Sequence, residues 1–131
     1  MGHAQVVPVK KMAQESEAFR KVLFTADKSQ LVLMSLQPGE DIGLETHDVD
    51  QMLYAVDGSG RAVIAGEEKT FEKGSILCVP AGTRHNVVNT GKERMKLFTF
   101  YAPPQHAPGT LHRTKADAEK EEPATRHGVA M

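Results

Sequence analysis

Between residues 30 and 103 the chain is a series of short apolar runs separated by turns rich in glycine and proline. The first run ends where Pro38-Gly39 turns the chain, and similar turn signals follow each later run. The predicted strands cover residues 31–36, 51–56, 61–65, 69–71, 75–79, 85–88 and 95–101. Short strands that recur about every 8–12 residues, with such turns between them, predict an all-β fold: an antiparallel sandwich or a small barrel.

The segments on either side of this β-rich region are patterned more weakly. Residues 1–30 hold two candidate edge strands, at residues 6–9 and 20–24, and a candidate helical turn between Met12 and Phe19. After Pro103 the composition changes, and Thr114 is a suitable N-cap for a short helix, Lys115 to Glu122, which Pro123 would end. We therefore expect one domain with three parts: an N-terminal arm (1–30), a barrel (31–103), and a C-terminal loop, short helix and flexible tail (104–131).

Composition narrows the class of protein and its location. The 131 residues are 40% hydrophobic and 25% charged, which is typical of a soluble globular domain. Sixteen basic residues balance seventeen acidic ones without forming a basic stripe, so nucleic acid and anionic membrane are poor candidates as partners. The first thirty residues lack the apolar core of a signal peptide, and we expect a cytoplasmic protein. Cys78 lies in an apolar run, and we expect a buried, inert thiol.

Two spaced motifs between residues 39 and 89 carry the candidate chemistry. They read Gly39-x5-Glu45-x-His47-x3-Gln51-x6-Gly58 and Gly74-x5-Pro80-x-Gly82-x2-His85-x3-Asn89. Glu45 and His47 are two residues apart, so on an extended segment both face the same way. Gln51 opens the next strand, and His85 opens a later strand after a tight turn. Two imidazoles, a carboxylate and an amide are ligand types for a divalent transition metal.

These motifs resemble those of the cupin family, in which motif 1 reads G-x5-H-x-H-x3,4-E-x6-G and motif 2 reads G-x5-P-x-G-x2-H-x3-N. The second motif matches at every fixed position. The first matches in spacing, but Glu45 stands where the family usually has its first His, and Gln51 where it usually has Glu. The resemblance implies a cupin double-stranded β-helix, or jelly-roll barrel, here with a short C-terminal helix. It also implies that Glu45, His47, Gln51 and His85 converge on one metal inside the barrel mouth.

The two departures from the family motif compensate each other in charge. Three His and one Glu carry one negative charge, and so does the set in this chain. Two His and a carboxylate suit Fe(II), Mn(II), Zn(II) or Ni(II). The alternatives are a loop histidine for His47, a histidine hydrogen-bonded to the backbone for His85, a solvated acid for Glu45, and for Gln51 a hydrogen bond to another ligand instead of to the metal.

Two functional hypotheses follow. The leading one is a metal-dependent enzyme acting on a small polar metabolite by isomerase, lyase or dioxygenase chemistry, with Glu45 doubling as a general base. The other is a barrel that binds or senses a small molecule without turnover, which the weak ligand Gln51 keeps open. A purely structural role is a weaker third reading.

Several residues outside the ligand set are candidates for contact with a substrate or a partner. Arg84 would bind a substrate carboxylate or phosphate, and the candidate pocket walls are Tyr54, Arg61, Phe98 and Phe100. His106 and His112 are either solvated or part of a lid over the site. Small cupins that resemble this chain are commonly homodimers, and residues 1–30 would then contribute to the interface.

Overall fold

The computed structural model describes residues 3–125, with side chains up to Glu121. In chain order the elements are α1 (Val9–Glu15), β1 (Arg20–Thr25), β2 (Gln30–Leu36), β3 (Asp50–Asp57), β4 (Ser59–Ile64), β5 (Glu67–Glu72), β6 (Ile76–Val79), β7 (His85–Asn89), β8 (Met95–Ala102), β9 (Leu111–His112) and α2 (Lys115–Thr125). All seven strands predicted between residues 30 and 103 are present.

The strands form two antiparallel sheets that enclose one core. The larger sheet has the order β6-β3-β8-β2-β1-β9, and the smaller has the order β5-β4-β7. Isolated bridges from Asp41 to Val88 and from Glu45 to His85 place the segment before β3 along the free side of β7. The main apolar cluster takes Leu53 from the larger sheet and Val87 from the smaller. The predicted all-β jelly roll with a short C-terminal helix is confirmed.

Strand parity decides which side chains enter this core. Along β3, Leu53 and Ala55 are buried among residues of both sheets, whereas Met52 and Tyr54 point to the outer side of the larger sheet. Helix α1 covers part of that outer side, where Ala13 packs in a second cluster with residues of β2 and β3. Each strand of the larger sheet therefore has an inner face toward the core and an outer face toward α1 or solvent.

The N-terminal arm differs from the prediction at its first element. Residues 6–8 form no strand, and the helix expected from Met12 begins earlier, at Val9. Pro8 explains both facts, since a proline cannot donate to a strand ladder but is well tolerated where a helix begins.

The C-terminal part also differs in detail. β9 was not predicted, because two residues are too short to show a strand pattern; it pairs with β1. Helix α2 continues two residues beyond Pro123, within the usual uncertainty of helix ends. The predicted flexible tail falls largely on residues 126–131, which lie outside the described residues. Neither helix in the described part of the chain is long and apolar enough to cross a membrane.

Cys78 is exposed, contrary to the prediction of a buried thiol. The apolar run around it is a strand, β6, in which Leu77 and Val79 face the core while Ile76 and Cys78 face outward. An apolar run of four residues does not reveal this alternation by itself.

Candidate metal centre

Glu45 and His85 face each other across the gap between the pre-β3 segment and β7. The backbone N–H of each donates to the carbonyl of the other, both at 2.9 Å. Residues paired in this way project their side chains to the same face. His47, two residues after Glu45 in this extended segment, is brought to that face as well, and its Nε2 lies 3.0 Å from Glu45 Oε1.

Gln51 joins this group from the opposite sheet. It lies near the start of β3, pairs with Tyr101 of β8, and points inward. Its Oε1 lies 2.9 Å from His85 Nε2, so the cluster spans the two sheets at one end of the barrel. The four side chains belong to residues that are only 3–7% exposed. Candidate ligand atoms of Glu45, His47 and His85 all lie within 4.8 Å of one another.

The hydrogen bonds of His85 and Gln51 leave two acceptors facing each other. His85 Nδ1 is 2.9 Å from the Thr83 carbonyl, which can only accept, so Nδ1 carries the proton and Nε2 the lone pair. Gln51 Nε2 donates to Thr99 Oγ1 at 3.2 Å, which turns Oε1 toward His85. A lone pair and a carbonyl oxygen 2.9 Å apart repel each other unless something positive contacts both.

Three arrangements make this contact favourable: a proton on His85 Nε2, a rotated Gln51 amide, or a cation bound to both atoms. Burial, above all, lowers the pKa of His85, and the nearby His47 lowers it further. The Thr83 carbonyl and Glu45 raise it but do not outweigh burial, so the proton is disfavoured near neutral pH. A rotated amide would donate from Nε2 to His85 and accept from the Thr99 hydroxyl. The donor set therefore fits a metal, and the rotated amide would satisfy the cluster without one.

His47 has a polar atom that the described residues leave unsatisfied. Its Nδ1 is buried and has no hydrogen-bond partner in the described part of the chain. The imidazole is held by the contact of its Nε2 with Glu45 Oε1 at 3.0 Å and by an edge-on contact with the Tyr101 ring, at 5.7 Å between centroids. A buried unsatisfied group costs about 1–3 kcal/mol. Binding of His47 Nε2 to a metal would supply a favourable free energy that offsets this cost.

Tyr101, His106 and Thr99 surround the cluster, and the motifs did not point to them. Tyr101 of β8 pairs with Gln51 of β3, and the Tyr101 hydroxyl is 3.4 Å from His106 Nε2. The loop that carries His106 is held by Gln30, which accepts from the N–H of residues 105 and 106 and donates to the His106 carbonyl at 2.7 Å. Thr99 and Tyr101 are the polar residues that alternate with phenylalanines along β8, which is the signal that could have revealed them.

The two tail histidines have different positions. His106 approaches the cluster through Tyr101, as a lid residue would. His112 lies elsewhere, in β9, with Nδ1 3.3 Å from Arg20 Nη1 and Nε2 3.2 Å from Glu121 Oε1.

The predicted substrate-contacting residues are not brought to the cluster. Arg84 and Arg61 are exposed, and Arg61 pairs with Glu68 at 3.3 Å. The three aromatic residues Tyr54, Phe98 and Phe100 lie on the outer face of the larger sheet, opposite to the ligand side chains. Their strands place Leu53, Thr99 and Tyr101 inward instead. The outward placement of Tyr54, Phe98 and Phe100 does not support a role as walls of the metal pocket.

Comparison with known proteins agrees with this geometry. A family model of the cupin domain matches residues 32–101. The uncharacterized protein YrkC of Bacillus subtilis is 46% identical over 86% of this chain, which spans only 64% of YrkC. The crystal structure of BH2720 from Bacillus halodurans superposes with a TM-score of 0.89 at 41% identity, covering 90% of this chain and 95% of that one. A predicted oxalate decarboxylase from Thermotoga maritima shares the fold at 22% identity and a TM-score of 0.56, covering 60% and 69% of the two chains. Because the family model spans more than half of the chain and the site lies where the motifs predict it, this protein belongs to the cupin family.

Proposed function

We propose that Glu45, His47, Gln51 and His85 hold one divalent transition metal and that the protein is a metal-dependent enzyme acting on a small polar metabolite. The observation that carries the proposal is the buried cluster in which candidate ligand atoms of Glu45, His47 and His85 all lie within 4.8 Å of one another, with Gln51 Oε1 2.9 Å from His85 Nε2. These four residues would hold the cation, and its charge would make the contact between His85 and Gln51 favourable.

The donor set narrows the metal. Two imidazoles, one carboxylate and one amide oxygen suit Fe(II), Mn(II), Zn(II) or Ni(II). An amide is a weaker ligand than the carboxylate that cupins usually have at position 51, so one coordination position would exchange easily. When bound, the metal would supply Lewis-acid polarisation of a substrate carbonyl or, if it is iron, chemistry with O2.

Residues of this chain would bind the substrate and transfer its protons. Glu45 is our candidate general base, because it supplies the carboxylate of the cluster and is nearly fully buried. The Tyr101 ring contacts His47, and the Tyr101 hydroxyl lies 3.4 Å from His106 Nε2. This hydroxyl and imidazole would orient a polar substrate. Arg61 and Arg84 are both exposed, which favours a substrate without a phosphate group.

The type of reaction belongs to the same proposal. Isomerase, lyase and dioxygenase chemistry are all compatible with a metal held by these residues. The similarity to a predicted oxalate decarboxylase is a similarity of fold, and it makes small carboxylates reasonable first substrates to screen. A cytoplasmic location is part of the proposal.

A second function is favoured by the Gln51 amide. Rotation of this amide would satisfy His85 and Thr99 without a metal, as expected of a barrel that binds or senses a small molecule without turnover. Turnover that is lost on chelation supports the enzyme. A ligand that raises the unfolding temperature of metal-free protein, without turnover, supports the binding module.

The test begins with metal content. Protein purified without added metal is analysed by mass spectrometry beside His47→Ala and Glu45→Ala, with His3→Ala as a control at an exposed position. We expect close to one equivalent of a single transition metal in the wild type and in His3→Ala, and loss of that metal in both site variants. Failure of the wild type to bind Fe(II), Mn(II), Zn(II) or Ni(II) after reconstitution would refute the metal site.

A further inference from the structure

Gln105 buries a side-chain amide that has no hydrogen-bond partner in the part of the chain that the structure describes. The residue is only 2% exposed, and both its Oε1 and its Nε2 are buried. Buried polar side-chain atoms are nearly always hydrogen-bonded, so an exception needs a physical explanation. An amide offers one group that accepts and one that donates, and here both remain unused. This combination suits a ligand group that can itself donate and accept.

The strand register places Gln105 at the same end of the barrel as the candidate metal centre. On the inner face of the larger sheet, Gln51 of β3 pairs with Tyr101 of β8, and Tyr101 pairs with Gln30 of β2. Gln30 Oε1 accepts from the backbone N–H of Gln105 at 3.1 Å. Neighbouring strands are about 4.8 Å apart, so Gln51 and Gln30 are separated by about 10 Å. The distance from the ligand cluster to the Gln105 loop is therefore close to the length of a small metabolite.

The loop that carries Gln105 is held without its side-chain amide. Gln30 Oε1 also accepts from the N–H of His106, and Gln30 Nε2 donates to the His106 carbonyl at 2.7 Å. The His106 imidazole lies edge-on to the Tyr101 ring, with 5.1 Å between centroids. Because these contacts fix the loop, a role toward a bound molecule explains the buried Gln105 amide better than a role in the fold.

We propose that Gln105 binds the end of the substrate that lies away from the metal, and that this end carries a hydroxyl group. A hydroxyl can donate to Oε1 and accept from Nε2, so it suits both groups of the amide. An ionised carboxylate can only accept, so it would leave Oε1 unpaired and bring a charge into a buried position. The substrate class is then a small hydroxy acid, with its carboxylate at the metal. This inference rests on the proposed function and adds a substrate class to it.

The length of the substrate follows from the spacing of the strands. A chain of about six carbons spans about 6 Å. Contacts of about 2–3 Å at each end bring the total to about 10–12 Å, which matches the separation between Gln51 and Gln30. The probe is therefore ω-hydroxyhexanoate. Hexanoate, which lacks the hydroxyl, and adipate, which has a second carboxylate in its place, are the matched comparisons.

Isothermal titration calorimetry on the metal-loaded full chain tests the proposal. We expect the wild type to bind ω-hydroxyhexanoate about ten-fold more tightly than hexanoate or adipate, because only the hydroxyl pairs with both groups of the amide. Gln105→Met keeps the length of the side chain without its polar atoms, and should bind ω-hydroxyhexanoate and hexanoate equally. Gln14→Met, at an exposed position of α1, is the matched control and should bind like the wild type. Equal binding of the three acids by the wild type, or binding of none of them, would overturn the proposal.

Urea unfolding of metal-free protein provides a second test that needs neither metal nor ligand. Replacing an unsatisfied buried amide by an apolar group of similar shape is neutral or stabilising. The urea midpoint of Gln105→Met should therefore equal or exceed that of the wild type. A clearly lower midpoint would show that the amide is already hydrogen-bonded within the protein, and would refute the inference. Metal content measured on the same samples separates the two proposals, since absence of metal counts against the metal site, whereas equal binding of the three acids by loaded protein counts against Gln105.

Discussion

Replacing Gln51 by Glu exchanges one amide nitrogen for oxygen and restores the carboxylate that cupins usually have at this position. In the structure Gln51 Oε1 is 2.9 Å from His85 Nε2, and both residues are 3% exposed. The new charge would therefore lie in a buried site that already holds the Glu45 carboxylate. Its effect on stability should have opposite signs with and without metal.

The size of the effect of Gln51→Glu on metal binding and on stability follows from the charges involved. Two unit charges about 4 Å apart interact by about 4 kcal/mol at an effective dielectric constant of about 20, and burying the new carboxylate costs part of this. We expect a net gain of about 1–3 kcal/mol for the metal-bound form, which corresponds to roughly ten- to hundred-fold tighter binding. Without metal, an uncompensated buried charge should cost about 3–5 kcal/mol of the free energy of unfolding.

Calorimetric unfolding with and without a chelator measures both effects. The gap in melting temperature between metal-loaded and metal-free protein should be wider in Gln51→Glu than in the wild type. Gln14→Glu on the exposed side of α1 is the matched control and should change neither temperature by more than a degree or two, since surface changes usually lie within about 0.5 kcal/mol. Equal metal affinity and equal metal-free stability in Gln51→Glu and the wild type would refute the placement of Gln51 at the metal.

Three further predictions concern the support of the site and the fold. Thr99→Val removes the acceptor of the Gln51 amide and should weaken metal binding by about ten-fold, since partners that orient ligands typically contribute 10–100-fold; unchanged affinity in a metal titration would contradict this. Burial lowers the pKa of His85 below its ordinary value of 6.5, so the unfolded chain binds more protons just below pH 6.5. Metal-free protein should therefore lose stability as the pH falls from 6.5 toward the lowered pKa, and His85→Gln should show a flatter pH dependence in urea unfolding. Gly58→Ala should lower the free energy of unfolding by about 2–4 kcal/mol in the same assay, because Gly58 has a φ of +101° and a Cβ there would lie 2.9 Å from Met95 Cα. A urea midpoint equal to that of the wild type would contradict this strain.

The cluster of candidate ligands was predictable because each of its residues is tied to a local signal. Glu45 and His47 share an extended segment, Gln51 opens a strand, and His85 follows a Pro-x-Gly turn. Spacing along an extended chain sets which way neighbouring side chains point, so motif spacing carries three-dimensional information. The tertiary structure adds that these side chains approach from opposite sheets and that the Thr83 carbonyl directs the lone pair of His85 inward.

The wall of the site could not be predicted in the same way. Strand β8 is apolar on both faces at Leu97, Phe98 and Phe100, so hydrophobicity alone does not tell which residues point inward. Pairing with β2 and β3 decides it, and places Thr99 and Tyr101 inside. Gln30 holds the His106 backbone near Tyr101 by hydrogen bonds across 76 residues of sequence, and no local pattern encodes such a contact.

By itself, then, the sequence determined the strands and an antiparallel sandwich or small barrel, because period-two geometry and turn chemistry act over a few residues. The resemblance to the cupin motifs added the jelly-roll class and the convergence of Glu45, His47, Gln51 and His85. Only the tertiary structure decided which face each apolar strand presents, which groups wall the site, and that Met52, Ile76 and Phe100 remain exposed on an uncharged surface. Those features depend on which strands pair and in what register, and a shift of one residue in register would move every side chain to the opposite face.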